Sequence, residues 1–345
     1  MKIYNSHKYI NYIAAQKTPE MRYDGSRDIA TWQSEARKKL EELLGLPFAK
    51  CEDLFTITGR SEEEEYIRID FEFQSEEGYF VPCNLLIPAG EAKARPGVIC
   101  LQGHSTGKHI SIGVAKFEGD VDTIAGGRDF AIRAVKEGCC AIAMDQRYMG
   151  EAGQSKTGSP ACASDNESMA ALLVGRTAIG ERVWDVMRLI DVIYAHFTEY
   201  IDIEKLICMG NSGGGTATFY ASCMDERIRF AMPSCAVCTY EASIMAMHHC
   251  PCNFIPSIRR YFNMGDLGGL IAPRPLVVVC GKEDPIFPLG GVEESFTLIQ
   301  NAYRQFGKED LCHLVTGDGG HQFYPDDAWP VMKKMVPQCK MYPKM

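Results

Sequence analysis

Three residues far apart in the chain have the types that covalent acyl transfer needs: Ser212, Asp284 and His321. Ser212 sits in Gly210-Asn211-Ser212-Gly213-Gly214, a G-x-S-x-G pattern between the apolar "KLICM" and a helical "GTATFYASCMD". Small residues make chance matches to that pattern common, but strand, sharp turn and helix together are what a nucleophile elbow requires. A serine hydroxyl is a poor nucleophile until a base takes its proton, and that base must be oriented by a third group. Asp284 in "GKEDPIFP" and His321 in "DGGHQFYP" each follow an apolar run, giving the order Ser, Asp, His. Each has an ordinary alternative: an anion-binding glycine turn at a helix N-terminus, a turn aspartate that Glu283 could replace, a solvated loop histidine. Their common order weighs against all three alternatives at once.

The same chemistry needs N–H donors for the developing oxyanion, worth about 2.7–4 kcal/mol each. One is expected from Gly213, at the start of the helix after the nucleophile. The other is expected from "CLQGHSTGKH", through the backbone N–H of His104 or Ser105. The His104 side chain reads as a pocket wall rather than a second base. Gln102, Arg147, His249 and Phe287 are candidate substrate contacts, with a loop anchor as the favoured alternative for Arg147 in "DQRYMG". His248, His249, Cys250 and Cys252 spell "HHCPC", and imidazole and thiolate are zinc ligands. Adjacent histidines rarely reach one ion, and no second cysteine pair follows at metal spacing. The segment is therefore expected to be a lid or pocket wall with Phe254, Tyr261 and Phe262 as its apolar surface, and no metal or cofactor is expected.

These residues must be positioned by a scaffold. Residues 28–45 have helical apolar spacing and close on a glycine, predicting an N-terminal helix. "EYIRIDFEFQSEEGYFVPCNLLIP" alternates on both sides of "SEEG", predicting an antiparallel hairpin. Short continuous apolar runs follow at 97–102, 139–145, 205–210, 228–234, 275–281 and 311–316, most of them separated by helical stretches. Such runs are buried parallel strands. With the hairpin they predict an α/β fold of eight strands, the first two antiparallel, with helices on both faces. The expected division is a helical extension over 1–60 and a catalytic domain over 61–345. Two excursions, at about 147–180 and 235–273, follow strand C-termini, the ligand-binding edge of an open α/β sheet. In "ERVWDVMRLIDVI", Asp185, Arg188 and Asp191 are spaced for a charge ladder, while Val183, Trp184, Met187 and Ile190 face inward.

A formal charge of −9 over 345 residues provides no basic field for nucleic acid. No signal peptide or membrane span is visible, so a cytoplasmic protein is expected. Of fifteen cysteines, Cys100, Cys139, Cys140, Cys208 and Cys280 fall in or beside the apparent strands, which favours buried reduced thiols over a disulfide framework.

The motifs "LQGHSTGK", "MDQRYMGEAG", "GRTAIGERVWDVMRLIDVI", "GNSGGG", "CPCNFIP", "LIAPRPLVVVCGKEDPIFP" and "GDGGHQFYP", in that order, resemble the α/β-hydrolase superfamily from about residue 60 onward. Within it the chain is similar to acetyl xylan esterase-like and dienelactone hydrolase-like proteins. The resemblance implies a serine esterase for small acyl esters, such as acetylated sugars, with Ser212, Asp284 and His321 as its triad. The chain departs from subgroups at single positions. Dienelactone hydrolases carry cysteine where Ser212 stands, and glucuronoyl esterases carry arginine where Gly213 stands. One cephalosporin deacetylase and acetyl xylan esterase group has glutamine after the serine and glutamate after the histidine, where this chain has Gly213 and Gln322. An amidase or peptidase, and a noncatalytic ligand-binding relative, are the rival readings.

Overall fold

The computed structural model describes residues 2–90, 93–153 and 165–336; part of the 147–180 excursion lies outside the described residues. Its strands are β1 (Phe55–Glu62), β2 (Tyr66–Glu76), β3 (Tyr79–Pro88), β4 (Arg95–Leu101), β5 (Cys140–Met144), β6 (Ile201–Asn211), β7 (Phe230–Ser234), β8 (Leu276–Gly281) and β9 (Cys312–Gly317). They form one sheet in the order β1-β2-β3-β5-β4-β6-β7-β8-β9. The pairings β1–β2, β2–β3 and β3–β5 are antiparallel, and all later ones are parallel. The sheet therefore has nine strands, not the eight expected. The additional one is β1, an edge strand whose residues are exposed or half-buried throughout. It starts at Phe55, inside the segment expected to be a helical extension.

The helices of seven or more residues are α1 (Ser6–Ala15), α2 (Ile29–Leu44), α3 (Phe130–Lys136), α4 (Asp165–Leu173), α5 (Ala178–His196), α6 (Gly213–Met224), α7 (Leu289–Gln305) and α8 (Pro325–Met335). The inner strands read as unbroken apolar runs because helices cover both faces. Ile99, Leu101, Leu206, Cys208, Val278 and Cys280 share one core with Trp32 and Leu40 of α2, Val186 of α5, Phe219 of α6 and Ile299 of α7. Their neighbours Val98, Cys100, Ile207, Met209, Val277 and Val279 share the other with Phe130 of α3 and with Trp329 and Met332 of α8. Side chains alternate across a strand, so one continuous run feeds two cores. Helix α2 starts where Asp28 accepts the Thr31 N–H at 2.8 Å and stops at Gly45, whose φ of 80° only glycine adopts readily.

The cysteines at 100, 139, 140, 208 and 280 are buried, and all thirteen among the described residues are free thiols. No helix among the described residues is long and apolar enough to cross a membrane.

Candidate active site

Ser212 joins β6 to α6 with φ 55° and ψ −123°, a conformation costing roughly 1–3 kcal/mol for a residue with a side chain. The glycines around it are there for a different reason. A Cβ on Gly214 would lie 2.0 Å from the Leu101 carbonyl oxygen, one on Gly215 2.3 Å from that of Ser234, and one on Gly210 2.5 Å from that of Gly214. Helix α6 is thus pressed against the ends of β4 and β7, backbone to backbone. Gly214→Ala is expected to destabilise the protein by ~3 kcal/mol or more, at or above the top of the usual range for overpacking, because rigid backbone must move. Urea unfolding checks this, and a loss below ~0.5 kcal/mol, the range of a neutral surface change, would show that the contact yields freely.

The acid and the base expected from sequence stand at the ends of β8 and β9. Asp284, 3% exposed, follows β8, and His321 follows β9. His321 Nδ1 lies 2.8 Å from Asp284 Oδ2. The other carboxylate oxygen accepts the N–H groups of Ile286 at 2.8 Å and Phe287 at 3.1 Å. Burial pushes the Asp284 carboxyl up, but the imidazole and the two N–H groups outweigh it and hold the pKa below the ordinary value. Glu283 points into solvent, and its N–H bonds the Gly319 carbonyl at 2.9 Å. Glu241, in the excursion after β7, is paired with Arg259 and Asn263 instead. Among the described residues no hydrogen bond joins Ser212 to His321, a separation common before substrate binds.

The loop after β4 lies directly against the elbow. A Cβ on Gly103 would sit 2.6 Å from the Asn211 carbonyl oxygen and 3.0 Å from Ser212 Cβ, and one on Gly213 3.1 Å from His104 Cε1. The loop thereby brings His104 and buried Ser105 beside Gly213, the first residue of α6. It is pinned from behind. Asp120, buried, accepts from Thr106 Oγ1, from the N–H groups of Lys116 and Phe117 at 2.9 Å each, and meets His109 Nε2 at 2.8 Å. Burial pushes the Asp120 carboxyl up, yet these partners together bring it down to about 2. Against an unfolded value of about 3.9, the depressed group contributes stability above that pH and loses it as pH falls toward the folded value, on the order of 2–3 kcal/mol in all. Asp120→Asn is therefore expected to lose ~2–3 kcal/mol at pH 7, with about half the gap closed at pH 3. Urea melts at the two pH values test it; a gap independent of pH would mean that packing, not charge, is lost.

Two candidate substrate contacts turn away from the site. Gln102 donates to Ser111 Oγ at 2.7 Å and to the Arg128 carbonyl at 2.6 Å, and accepts from Arg128 Nη2 at 2.9 Å. It braces the loop. Arg147, buried, donates to Asp185 at 2.8 and 2.9 Å and to Glu76 at 2.6 Å, with its guanidinium 4.1 Å above the Tyr79 ring. It is the loop anchor. Asp185 is taken out of the expected charge ladder by this contact, leaving Arg188 with Asp191. Met187 is only partly buried.

His249 and Phe287 do reach the site. A cavity of about 140 Å³ is lined by His104, Ser212, Gly213, His249 and Phe287 together with Thr216, His248, Cys250, Asn253 and Ile286. Phe287 stacks on His321 at 5.8 Å between ring centres and meets His249 edge-on at 5.6 Å. Burial pushes the His249 imidazole down, His321, His248 and His104 add to this, and the pKa falls to about 4, so it is neutral at pH 7. The excursion 235–273 is thus a cavity wall, but not through its aromatics: Phe262 is core, Tyr261 packs on that core, and Phe254 faces solvent.

Sequence reasoning missed Thr216, Asn253 and Arg182. Thr216 Oγ1 lies 3.2 Å from the Ser212 carbonyl oxygen and 3.3 Å from Asn253 Oδ1, and its one proton serves either acceptor. Arg182, wholly buried on α5, brings Nη1 to 3.8 Å from where a Gly213 Cβ would stand. The helix also carries Glu181, Asp185, Arg188 and Asp191, so one more charge gave no signal in the sequence. A larger cavity of about 260 Å³ is lined by Arg68, Asp70, Lys108, His109 and Glu151, and it includes none of Ser212, Asp284 or His321. Its cations are largely paired with its own carboxylates.

A "Putative hydrolase YtaP" of Bacillus subtilis strain 168 is 24% identical over 153 residues, 44% of this chain. The chain aligns with half the length of that curated relative. Among solved structures, a "putative acetyl xylan esterase" from Bacteroides fragilis NCTC 9343 superposes with a TM-score of 0.77 at 19% identity, over 95% of this chain and 84% of the other. A glucuronoyl esterase from Solibacter usitatus gives 0.66 at 14% identity over 94% and 97%, and an acetyl xylan esterase from Paenibacillus sp. R4 gives 0.60 at 15% over 95% and 99%. At these identities the likeness is one of fold, the α/β-hydrolase fold. The Abhydrolase family model matches residues 14–316, most of the chain, and the protein belongs to the Abhydrolase family.

Proposed function

We propose that this protein is a cofactor-independent serine esterase that removes short acyl groups, acetyl foremost, from a small alcohol such as a sugar. The observation that carries the reading is the Asp284–His321 hydrogen bond, on the sheet edge where Ser212 is held at positive φ. In this mechanism His321 takes the Ser212 proton as Oγ attacks the ester carbonyl. Asp284 stabilises the imidazolium that results. The Gly213 N–H and one N–H of the 103–105 loop receive the oxyanion. The imidazolium then protonates the departing alcohol, and water, deprotonated by His321, cleaves the acyl-enzyme.

The preference for short acyl groups rests on size. The 140 Å³ cavity beside Ser212 is below the roughly 300–1,000 Å³ of sites for drug-sized ligands, so it suits an acetyl or propionyl group and leaves the alcohol outside. The names of the structural neighbours accord with that choice. A matched set of p-nitrophenyl acetate, butyrate and octanoate esters with the corresponding anilides tests it. Acetate ester turnover well above the octanoate, with anilides inert, is expected. Equal rates on anilides would make the protein an amidase, and no turnover would make it a noncatalytic relative.

A further inference from the structure

The "HHCPC" segment meets the rest of the molecule in an arrangement its own spacing does not show. Its two histidines do not join its two cysteines: His249 Nε2 is 3.2 Å from Ser243 Oγ, and His248 is exposed. Instead His104, from the loop after β4, comes to Cys250 and Cys252, with one ligand atom of each within 4.8 Å of the other two. His104 Nε2 lies 3.7 Å from Cys252 Sγ. In a tetrahedral zinc site with Zn–S about 2.3 Å and Zn–N about 2.0–2.1 Å, the N···S edge is about 3.6 Å and the S···S edge about 3.8 Å. The trio is therefore close to a Cys₂His ligand set with its fourth position open. One imidazole and two thiolates are ligands for zinc and its soft neighbours rather than for magnesium or calcium.

We propose that His104, Cys250 and Cys252 form a zinc-binding site, and that zinc held there reversibly shuts off the Ser212 centre. His104 belongs to the loop expected to supply an oxyanion donor, and its ring packs where a Gly213 side chain would stand. Ligation at Nε2 ties that ring to the 250–252 segment. His104 and Cys250 also line the cavity that Ser212 opens into. A cation with a water as its fourth ligand takes up space that the acyl group needs in a cavity of only 140 Å³. The two cysteines would bind as thiolates, their protons passing to solvent. The ion takes no part in the esterase reaction, and protein stripped with EDTA retains full activity.

The inhibition arm rests on the esterase reading; the spectroscopic arm does not. Full-length protein, stripped with EDTA, desalted and kept reduced with a non-chelating phosphine, is titrated with Co²⁺ and separately with Zn²⁺. One equivalent of Co²⁺ is expected to produce a thiolate-to-cobalt charge-transfer band that Zn²⁺ abolishes. Zn²⁺ is expected to suppress p-nitrophenyl acetate turnover at the same stoichiometry, with EDTA restoring it. Losing an outer-shell partner costs metal sites about 10–100-fold in affinity, so Cys252→Ser, which removes a ligand, is expected to raise the half-inhibiting Zn²⁺ at least ~100-fold relative to its own metal-free rate. Cys250→Ser, at a half-buried position, is read by the cobalt band and covers the case in which the buried Cys252→Ser does not fold.

Absence of the band, or its persistence in both variants, overturns the site. Zinc inhibition of unchanged potency in Cys252→Ser also overturns it and directs attention to Cys235, Asp284 and His321, the other clustered donors. A cobalt band without inhibition overturns the switch. If no ester is turned over at all, the esterase reading fails while a one-equivalent band still supports the metal site.

Discussion

Ser212→Ala is expected to lose ester hydrolysis almost completely and to keep its fold. In serine triads, removing the nucleophile costs about 2 × 10⁶ in kcat, and the residue of activity comes from the oxyanion donors and binding. A fall of at least ~10⁵ in kcat/KM on p-nitrophenyl acetate is the expected result here. Stability has no comparable stake in the hydroxyl. The Ser212 N–H bonds the Ser234 carbonyl at 2.9 Å and its carbonyl accepts from Thr216 N–H at 2.8 Å, contacts that alanine retains. Both residues carry a Cβ, so the cost of φ 55° is the same in each. Unfolding free energies of the two proteins from urea melts should agree within ~0.5 kcal/mol. Near-normal turnover by Ser212→Ala would end the proposed mechanism.

How far sequence could reach depended on whether a residue's role was set locally. Strands β4 to β9 were legible because both faces are covered, which leaves an uninterrupted apolar run whichever way each side chain points. Strand β1 was not, because "FTITGRSE" pairs along an open edge with Ile57 more than half exposed, so no burial pattern marks it. Ser212, Asp284 and His321 could be named as candidates because each sits where a loop must leave a strand end. Gln102 and Arg147 occupy equally good positions but act as braces, the role favoured from sequence for Arg147 alone. The partners that hold Arg147, Glu76 on β2 and Asp185 on α5, come from distant segments, and a single sequence contains no record of such pairs. The same limit hid the approach of His104 to Cys252, which are 148 positions apart. Position at the active edge is local information; the direction of a side chain there is tertiary.

Asp284 and Glu283 make that distinction testable, since adjacent acids in one loop differ only in where they point. Asp284→Asn is expected to lower kcat by about 10⁴, the loss produced by the same change in the serine-protease triad. The physical cause is twofold. The buried charge 2.8 Å from His321 Nδ1, which would stabilise the imidazolium, is gone. An amide N–H facing Nδ1 would also favour the tautomer with its proton on Nε2, which cannot accept from Ser212. The backbone N–H groups of Ile286 and Phe287 still find an acceptor in the asparagine oxygen, so the loop keeps its shape and the loss falls on kcat more than on folding. Glu283→Gln removes a charge from solvent and leaves the bond from its N–H to Gly319 untouched, so a change of less than ~2-fold in kcat is expected, within the small effects of surface substitutions. Saturating p-nitrophenyl acetate at one pH where the wild type is fully active compares the two. Reversed effects would reassign the acid to Glu283 and require the loop to rearrange when substrate binds. If neither substitution matters, no carboxylate of this loop orients His321, and the 2.8 Å contact is not part of catalysis.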